Sequence, residues 1–253
     1  MLERAFNEKV VVITGAAGGF GSLLAERLLG YGAKLMLSDR SEEGLTALAN
    51  RLGGIGAHLQ IHACDVTQED QVGALMERTV AQFGVIDIGV NNAGMSTPMS
   101  SFIDVSEKDF DLNIAVNLKG VFFGMKHQLR QMLNNADGGI ILNVASKAGV
   151  GGAPSLAAYS AAKHGVIGLT KTAALEFARK NIRVNAICPY YSPTPMVVNG
   201  ISESLLERLA QNTPYRRLAR QEEIVDAMLM LISPASSYMT GQAVVLDGGL
   251  SAG

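Results

Sequence analysis

The chain has few cysteines, little net charge and no long apolar run. Its two cysteines, Cys64 and Cys188, provide neither a disulfide framework nor the ligand spacing of a metal site, so we expect no bound metal. A net charge of −2 gives no basic field to attract nucleic acid or acidic lipid. No uncharged apolar run approaches bilayer-spanning length, and the N-terminal residues lack the apolar core of a signal peptide. These absences indicate a cytoplasmic protein that binds a small molecule, without nucleic-acid or membrane partners.

Charged residues are also sparse, at 17% of the chain against 48% hydrophobic residues. This balance is typical of a folded globular protein and excludes a disordered one. A length of 253 residues would allow two domains, but no Pro/Ser-rich linker, charge block or low-complexity stretch divides the chain. We therefore predict a single domain over residues 1–253.

Apolar runs alternate with longer amphipathic segments along the whole sequence. The candidate strands are residues 10–13, 34–39, 58–65, 86–91, 139–145, 182–188 and 243–247. The candidate helices are residues 19–30, 42–52, 68–83, 107–133, 157–179 and 222–232. Continuous apolar strands alternating with helices are typical of repeated βαβ units. The pattern predicts a doubly wound, Rossmann-like α/β fold: a mainly parallel seven-stranded sheet with helices on both faces and ligands at the carboxyl ends of the strands.

A glycine-rich turn follows the first predicted strand and opens the first long helix. Gly15 permits the tight turn, Gly19 lets the backbone approach a pyrophosphate, and Gly21 lets helix and strand pack closely. The backbone N–H groups of the turn, which also contains Gly18 and Phe20, then face the phosphates at the positive helix end. The spacing differs from the commoner G-x-G-x-x-G, and ordinary turns also use glycine. The position between strand and helix favours a dinucleotide site.

Asp39 ends the second predicted strand, where a carboxylate accepts hydrogen bonds from the adenosine ribose hydroxyls and repels a 2′-phosphate. It could also be a solvated strand-end carboxylate or a helix cap. Arg40, the next residue, could reach a phosphate. Because the acidic residue occupies the discriminating position, we predict NAD as cofactor in preference to NADP.

The third and fourth predicted strands end in residues that would line the same crevice. These residues are Asp65, Val66, Asn92, Ala93 and Gly94. Each alone could serve ordinary turn chemistry. Together they predict one site.

Tyr159 and Lys163 lie four residues apart on a predicted helix, and Ser146 precedes the tyrosine by thirteen residues. Residues four apart share a helix face, so the phenol and the ammonium share one pocket. A lysine about 4 Å away at an effective dielectric of about 20 favours the phenolate by roughly 4 kcal/mol, partly offset by desolvation. We therefore expect a lowered pKa for Tyr159 and a general acid/base near neutral pH.

These motifs occur together in the order and spacing of one family. With its glycine turn, Asn-Asn-Ala-Gly segment and Tyr159-x-x-x-Lys163, the chain resembles the classical short-chain dehydrogenase/reductase family over nearly its whole length. The resemblance implies an NAD(P)-dependent oxidoreductase that interconverts a secondary alcohol and a ketone. In it, Tyr159 would exchange a proton with the substrate oxygen, and Lys163 would lower the pKa of Tyr159 and bind the nicotinamide ribose. Ser146 would hold the substrate oxygen, and Asn117 would support a water-linked proton relay to the lysine.

The resemblance also implies contacts on the nicotinamide side. Thr194 would bind the carboxamide, after Pro189 and Tyr190, where the family usually has Pro-Gly. The cofactor still fits if Tyr190 keeps a negative φ and turns its ring outward; alternatively, Tyr190 and Tyr191 form a wall of the substrate pocket. Finally, the resemblance implies a homotetramer in which helices 107–133 and 157–179 pair across a two-fold axis.

The substrate walls should come from residues 95–99, 148–156 and 190–201. A substrate loop or lid should extend over about residues 190–212 and order on binding. These segments carry little charge and contain Met95 and Met196, so we expect an apolar or cyclic substrate and adaptable walls. The methionines could equally be ordinary lid packing.

Three alternative functions remain open. An NADPH-dependent 3-oxoacyl-[acyl-carrier-protein] reductase would need a basic docking patch beside the pocket, and Asp39 argues against NADPH. A non-catalytic dinucleotide sensor or scaffold uses the same fold, but the joint presence of Asn117, Ser146, Tyr159 and Lys163 argues against it. A Ser/Lys hydrolase would need a nucleophile elbow, and none surrounds Ser146.

Overall fold

Seven parallel strands form one sheet in the computed structural model, which describes residues 2–252. The strand order is β3-β2-β1-β4-β5-β6-β7, and every neighbouring pair is parallel. The strands are β1 (Val10–Thr14), β2 (Lys34–Asp39), β3 (Leu59–Ala63), β4 (Ile88–Asn91), β5 (Gly139–Val144), β6 (Ile182–Pro189) and β7 (Ala243–Leu246). The predicted doubly wound sheet is confirmed. The third strand is shorter than predicted, so Asp65 lies in the loop beyond it.

Ten α-helices are present among the described residues. They are α1 (Leu2–Phe6), α2 (Gly19–Gly30), α3 (Glu42–Arg51), α4 (Glu69–Phe83), α5 (Glu107–Ile114), α6 (Gly120–Met132), α7 (Ala157–Phe177), α8 (Pro195–Gly200), α9 (Glu203–Gln211) and α10 (Gln221–Ile232). A π-helical turn, Ala115–Lys119, joins α5 to α6 within the predicted helix 107–133. The predicted lid contains α8 and α9. No helix of this part of the chain is long and apolar enough to cross a membrane.

The sheet separates two hydrophobic cores because successive residues of a strand point to opposite faces. Val11 and Ile13 of β1 pack with the buried residues of α2, α3 and α10. Val12, between them, packs on the other face with those of α4, α6 and α7. Burial of both faces explains why the strands are continuous apolar runs.

Candidate active site

The strand order reverses between β1 and β4, which are neighbours although β2 and β3 lie between them in the chain. Thr14, the last residue of β1, is in register with Asn91, the last residue of β4. The glycine turn and the Asn92–Gly94 segment therefore leave the sheet side by side. Ligands of open α/β sheets bind at such a switch point.

Close packing holds the glycine turn against the end of β4. Gly15 has a φ of +63°, and a Cβ added there would lie 2.6 Å from Ala93 Cα. A Cβ on Gly21 would lie 2.4 Å from the Gly15 carbonyl oxygen. Asn92 Nδ2 donates to the carbonyl oxygens of Thr14 and Gly15 at 3.1 and 2.8 Å. These contacts fix the turn from within the chain.

The open side of the turn fits a dinucleotide phosphate. Gly18, which precedes α2, has no atom within 4 Å of the position of an added Cβ, and no side chain caps the N-terminus of α2. Gly19 has a φ of +52°, and its added Cβ would lie 3.4 Å from Thr194 Cγ2. The free N–H groups of α2 thus lie beside Thr194, as an anion site requires. Phe20 instead packs partly buried against the core.

Asp39 lies at the rim of this turn and is bound to it. Its Oδ2 accepts a hydrogen bond from the Ala17 N–H at 3.1 Å, and its Oδ1 accepts one from the Ser41 N–H at 3.1 Å. Arg40 is exposed. Each carboxylate oxygen has further lone pairs, so both ribose binding and a purely structural role are compatible with this geometry.

The other residues predicted on the adenine side, Asp65 and Val66, make contacts within the protein. Asp65 is exposed, and its Oδ1 accepts hydrogen bonds from the N–H and hydroxyl of Thr67 at 2.9 and 2.8 Å. Val66 packs against Gly120, where an added Cβ would lie 2.9 Å from Val66 Cγ2. Their backbone positions border the crevice, and their roles toward a cofactor stay predictions.

Tyr159 and Lys163 share one face of α7, as their spacing predicts. Lys163 is 3% exposed, and its Nζ donates to the Val144 carbonyl oxygen at 2.8 Å. The same Nζ lies over the Tyr159 ring, 5.5 Å from its centroid. Burial raises the pKa of Tyr159 to about 12, opposed by a hydrogen bond with Ser146. Burial also lowers the pKa of Lys163 to about 8.

The expected direction of the Tyr159 pKa was therefore wrong. The prediction assumed an ammonium beside the phenol oxygen. The amine instead binds a backbone carbonyl and lies over the face of the ring. Desolvation disfavours both the phenolate and the ammonium, and at Tyr159 it outweighs the hydrogen bond with Ser146 that favours the phenolate.

The turn after β5 holds Ser146 near Tyr159. The Ser146 Oγ accepts a hydrogen bond from the Ala148 N–H at 3.1 Å, which leaves its own proton free to donate. The Ser160 hydroxyl of α7 donates to the Ala148 carbonyl oxygen at 2.7 Å. Because Ser160 follows Tyr159 directly, this bond fixes the turn and the phenol relative to each other.

Asn117 lies in the π-helical turn and is completely buried. Its Oδ1 accepts a hydrogen bond from the Met95 N–H at 3.0 Å, and its Nδ2 donates to the Met95 carbonyl oxygen at 2.8 Å. A Cβ added to Gly94 would lie 3.0 Å from Asn117 Oδ1 and 3.6 Å from Lys163 Nζ. The amide and the amine therefore meet at Gly94. Turns of this type are frequent at functional sites.

Tyr190 and Tyr191 follow β6 and pack edge to face, with ring centroids 4.9 Å apart. The φ angle of Tyr190 is not positive, and the Tyr190 N–H donates to the Leu246 carbonyl oxygen at 2.9 Å. Both tyrosines line a cavity of about 470 Å³, together with residues from 213–224 and 245–249. The Tyr190 ring is accommodated there, so tyrosine in the usual glycine position fits this backbone.

The remaining residues predicted to contact the cofactor or the substrate differ in their exposure. Pro189 is buried as the last residue of β6, and Met95 is half-buried beside Asn117. Met196 is exposed on α8. Within residues 2–252, no group of three or more His, Cys, Asp or Glu side chains could hold a metal ion.

Sequence reasoning missed three hydroxyl residues of the site. The Thr14 Oγ1 accepts hydrogen bonds from the N–H groups of Asn92 and Ala93 at 3.2 and 3.3 Å. Ser160 fixes the turn after β5 that carries Ser146, through its bond to the Ala148 carbonyl oxygen. The Ser192 hydroxyl is buried without a hydrogen-bond partner among the described residues, two residues before Thr194. Only Ser160 gave a sequence signal, because it neighbours Tyr159.

Comparison with known proteins identifies close relatives of the whole chain. A family model described as Enoyl-(Acyl carrier protein) reductase matches residues 15–251. Cis-4-hydroxycyclohexanecarboxylate dehydrogenase of Sinomonas cyclohexanicum is 40% identical over 98% of both chains. A crystal structure of levodione reductase has a TM-score of 0.93 at 36% identity and covers 98% of this chain and 99% of that one. The 3-ketoacyl-(acyl-carrier-protein) reductase of Brucella melitensis, complexed with NADH, has a TM-score of 0.90 at 34% identity over 97% and 99%.

The buried amine of Lys163 predicts a pH-dependent stability. The pKa of Lys163 is about 8 in the folded chain, and that of an unfolded lysine is about 10.4. The unfolded state therefore binds more protons between these values, and stability rises with pH across this window. Relative to K163M, the wild type should gain about 2 to 3 kcal/mol in unfolding free energy between about pH 7 and pH 10. Urea unfolding measures this gain, with K171M, at an exposed position of α7, as the control. A difference that stays constant with pH would contradict the prediction.

Proposed function

Because this chain belongs to the classical short-chain dehydrogenase/reductase family and is an oxidoreductase of that family, we propose that it interconverts a cyclic secondary alcohol and the corresponding ketone with NAD(H). The observation that carries the proposal is the convergence of Ser146, Tyr159 and Lys163. Ser146 hydrogen-bonds with Tyr159, and the Lys163 amine lies over the Tyr159 ring and beside Gly94. The bound nicotinamide supplies or accepts the hydride. The side chains of the protein orient the substrate oxygen and move its proton.

Each of the three side chains has a distinct part in this proposal. The Ser146 hydroxyl donates a hydrogen bond to the substrate oxygen, since its own oxygen already accepts from the Ala148 N–H. A phenol with a raised pKa is protonated at neutral pH, so Tyr159 donates a proton to a carbonyl oxygen as reduction proceeds. The reverse reaction needs the phenolate and therefore gains with rising pH. The Lys163 amine is held by the Val144 carbonyl and lies over the Tyr159 ring, so it fixes the position of the ring. Asn117 supports the proton relay to Lys163.

The substrate class follows from the walls and the relatives. The segments beside the catalytic group carry little charge, and the paired rings of Tyr190 and Tyr191 offer flat apolar faces. The names of two relatives, cis-4-hydroxycyclohexanecarboxylate dehydrogenase and levodione reductase, refer to substrates of those proteins. Their similarity over the whole chain supports a ring-shaped alcohol or ketone here.

Replacement of Tyr159 by phenylalanine tests the assigned acid/base. A panel of cyclic and acyclic secondary alcohols and ketones is scored by the absorbance of reduced nicotinamide, with NAD(H) and NADP(H) separately. Y159F should lower kcat by at least about a hundredfold, and its NAD dissociation constant should stay within about twofold, as measured by fluorescence titration. Y238F changes a fully exposed tyrosine between α10 and β7, outside the cavity, and is the control. Full turnover by Y159F would reject the acid/base, and cofactor binding without turnover by the wild type would favour the sensor alternative.

The charge of Asp39 supports NAD over NADP, because its carboxylate borders the glycine turn and would repel a 2′-phosphate bound beside it. D39N removes the charge and keeps one acceptor oxygen for the Ala17 N–H. We expect the ratio of kcat/KM for NAD to that for NADP to fall by at least about tenfold. D137N, at an exposed position after α6, is the matched control. An unchanged ratio, or a wild type that prefers NADP, would refute the assignment.

Reduction of 3-oxoacyl groups on a carrier protein is the second candidate. The similarity to the 3-ketoacyl-(acyl-carrier-protein) reductase of Brucella melitensis favours it. So do the exposed Arg208, Arg216 and Arg220 on α9 and in the loop before α10, because a basic surface beside the pocket would attract an acidic carrier. Inclusion of an acetoacetyl thioester in the panel separates the two reactions.

The family resemblance and an exposed apolar surface support a homotetramer. Phe110, Phe122 and Leu175 project exposed from α5, α6 and α7, and Leu175 is 84% exposed. The wild type should elute from gel filtration near four times the 26.7 kDa of one chain, and L175E should shift toward smaller species. E176Q, a neighbouring change at an exposed position, should leave elution unchanged. Elution of the wild type as a monomer would refute the tetramer.

A further inference from the structure

A chain of buried polar side chains crosses the core beneath the site. Asn91 and Gln128 exchange two amide hydrogen bonds, at 3.1 and 3.0 Å. Asn91 Nδ2 also donates to Asn143 Oδ1 at 2.8 Å, and Asn143 Nδ2 donates to Thr170 Oγ1 at 2.9 Å. The Thr170 hydroxyl donates to the Val166 carbonyl oxygen at 2.8 Å. We call Gln128, Asn91, Asn143 and Thr170 the amide ladder. All four are buried.

Two glycines make room for the ladder. A Cβ added to Gly89 would lie 2.4 Å from Gln128 Cδ, and one added to Gly124 would lie 2.2 Å from Asn91 Oδ1. Larger residues would displace the amides. Burial of polar groups is costly unless each is hydrogen-bonded, so an apolar core would have been the simpler solution here. The ladder therefore needs a reason other than stability.

The ladder connects three elements that carry the active site. Asn91 directly precedes Asn92, whose amide holds the glycine turn. Asn143 pairs with Asn91 in the sheet and directly precedes Val144, whose carbonyl oxygen binds the Lys163 amine. Thr170 lies seven residues after Lys163, two turns along the same buried face of α7.

We propose that Thr170 is a positioning residue: through Asn143 and the rest of the amide ladder, its hydroxyl fixes the axial position of α7 over β5 and thereby the contact between Lys163 Nζ and the Val144 carbonyl. Aliphatic contacts between a helix and a sheet are non-directional, so they specify the axial position of the helix less sharply than a hydrogen bond does. The directed bond from Asn143 to Thr170 opposes such a shift. Because the acid/base and its lysine share α7, displacement of this helix by about 1 Å would misplace both reacting groups.

The inference rests on the proposed function, because its main readout is turnover. T170V keeps the volume of the side chain and removes the hydroxyl, which leaves Asn143 Nδ2 without this acceptor. We expect kcat to fall by at least about tenfold. The KM of the substrate and the dissociation constant of NAD should stay within about twofold, because the glycine turn and the walls are untouched. T170S retains the hydroxyl and should restore kcat.

T79V is the matched control for loss of a buried hydroxyl. Thr79 is completely buried in α4, and its hydroxyl donates to the Leu75 carbonyl oxygen at 2.8 Å, the same bond that Thr170 makes to Val166. It belongs to no part of the amide ladder. T79V should therefore keep kcat within about twofold of wild type, although it too loses stability. Equal losses of kcat in T79V and T170V, or an unchanged kcat in T170V, would overturn the proposal.

Amide hydrogen exchange provides a readout that needs no turnover. Peptides from residues 157–163 should exchange faster in T170V than in wild type and T79V. Each protein is measured at a denaturant concentration the same amount below the midpoint of its own unfolding transition. Equal exchange in all three proteins would overturn the positioning role. An inactive wild type would instead refute the proposed function, and the exchange comparison would still decide on the ladder.

Discussion

The placement of one buried amine governs the active site. Among the residues that the structure describes, the Lys163 amine donates to one acceptor, the Val144 carbonyl oxygen, and it is almost completely removed from water. An exposed amine would donate its hydrogen bonds to water, whereas a buried amine depends on the position of each neighbouring protein group. Gly94 leaves space for the amine, Asn117 holds the loop in which that glycine lies, and Ser160 fixes the turn that carries Ser146. These contacts come from different elements, and they are useful only in combination.

Much of the fold was predictable because its signals are local. The continuous apolar runs at β1, β2 and β6 reflect burial on both faces of the sheet, and the glycines around Gly15 mark a turn that only that residue type permits. The helices α8 and α9 were not predicted. The first of them begins at Pro195 and ends at Gly200, which is too short for a clear helical periodicity. The spacing of Tyr159 and Lys163 likewise predicted their shared helix face.

The remaining features depend on contacts between residues far apart in the chain. The shift in the Tyr159 pKa has the opposite sign from the prediction because spacing cannot show that Lys163 binds the Val144 carbonyl. Thr14 holds two N–H groups that lie almost eighty residues away, and Gln128 pairs with Asn91 across two elements. Nothing in the local sequence distinguishes these side chains from ordinary core or strand-end residues. Only the three-dimensional arrangement identifies them.

The two sides of the crevice are attached to the molecule in very different ways. On one side, the amide of Asn92 binds the backbone of the glycine turn, so contacts within the chain hold that side in place. On the other side, α8 and α9 have no buried residues. The Gln221 side chain of α10 donates to the Pro193 carbonyl oxygen, just before α8, and so ties this segment to α10. Mutations in these helices therefore disturb little else. If the predicted lid over residues 190–212 contacts the substrate, substitutions in it would change the substrate class and leave the proposed nucleotide side unchanged. Such an architecture would be a ready source of new specificities.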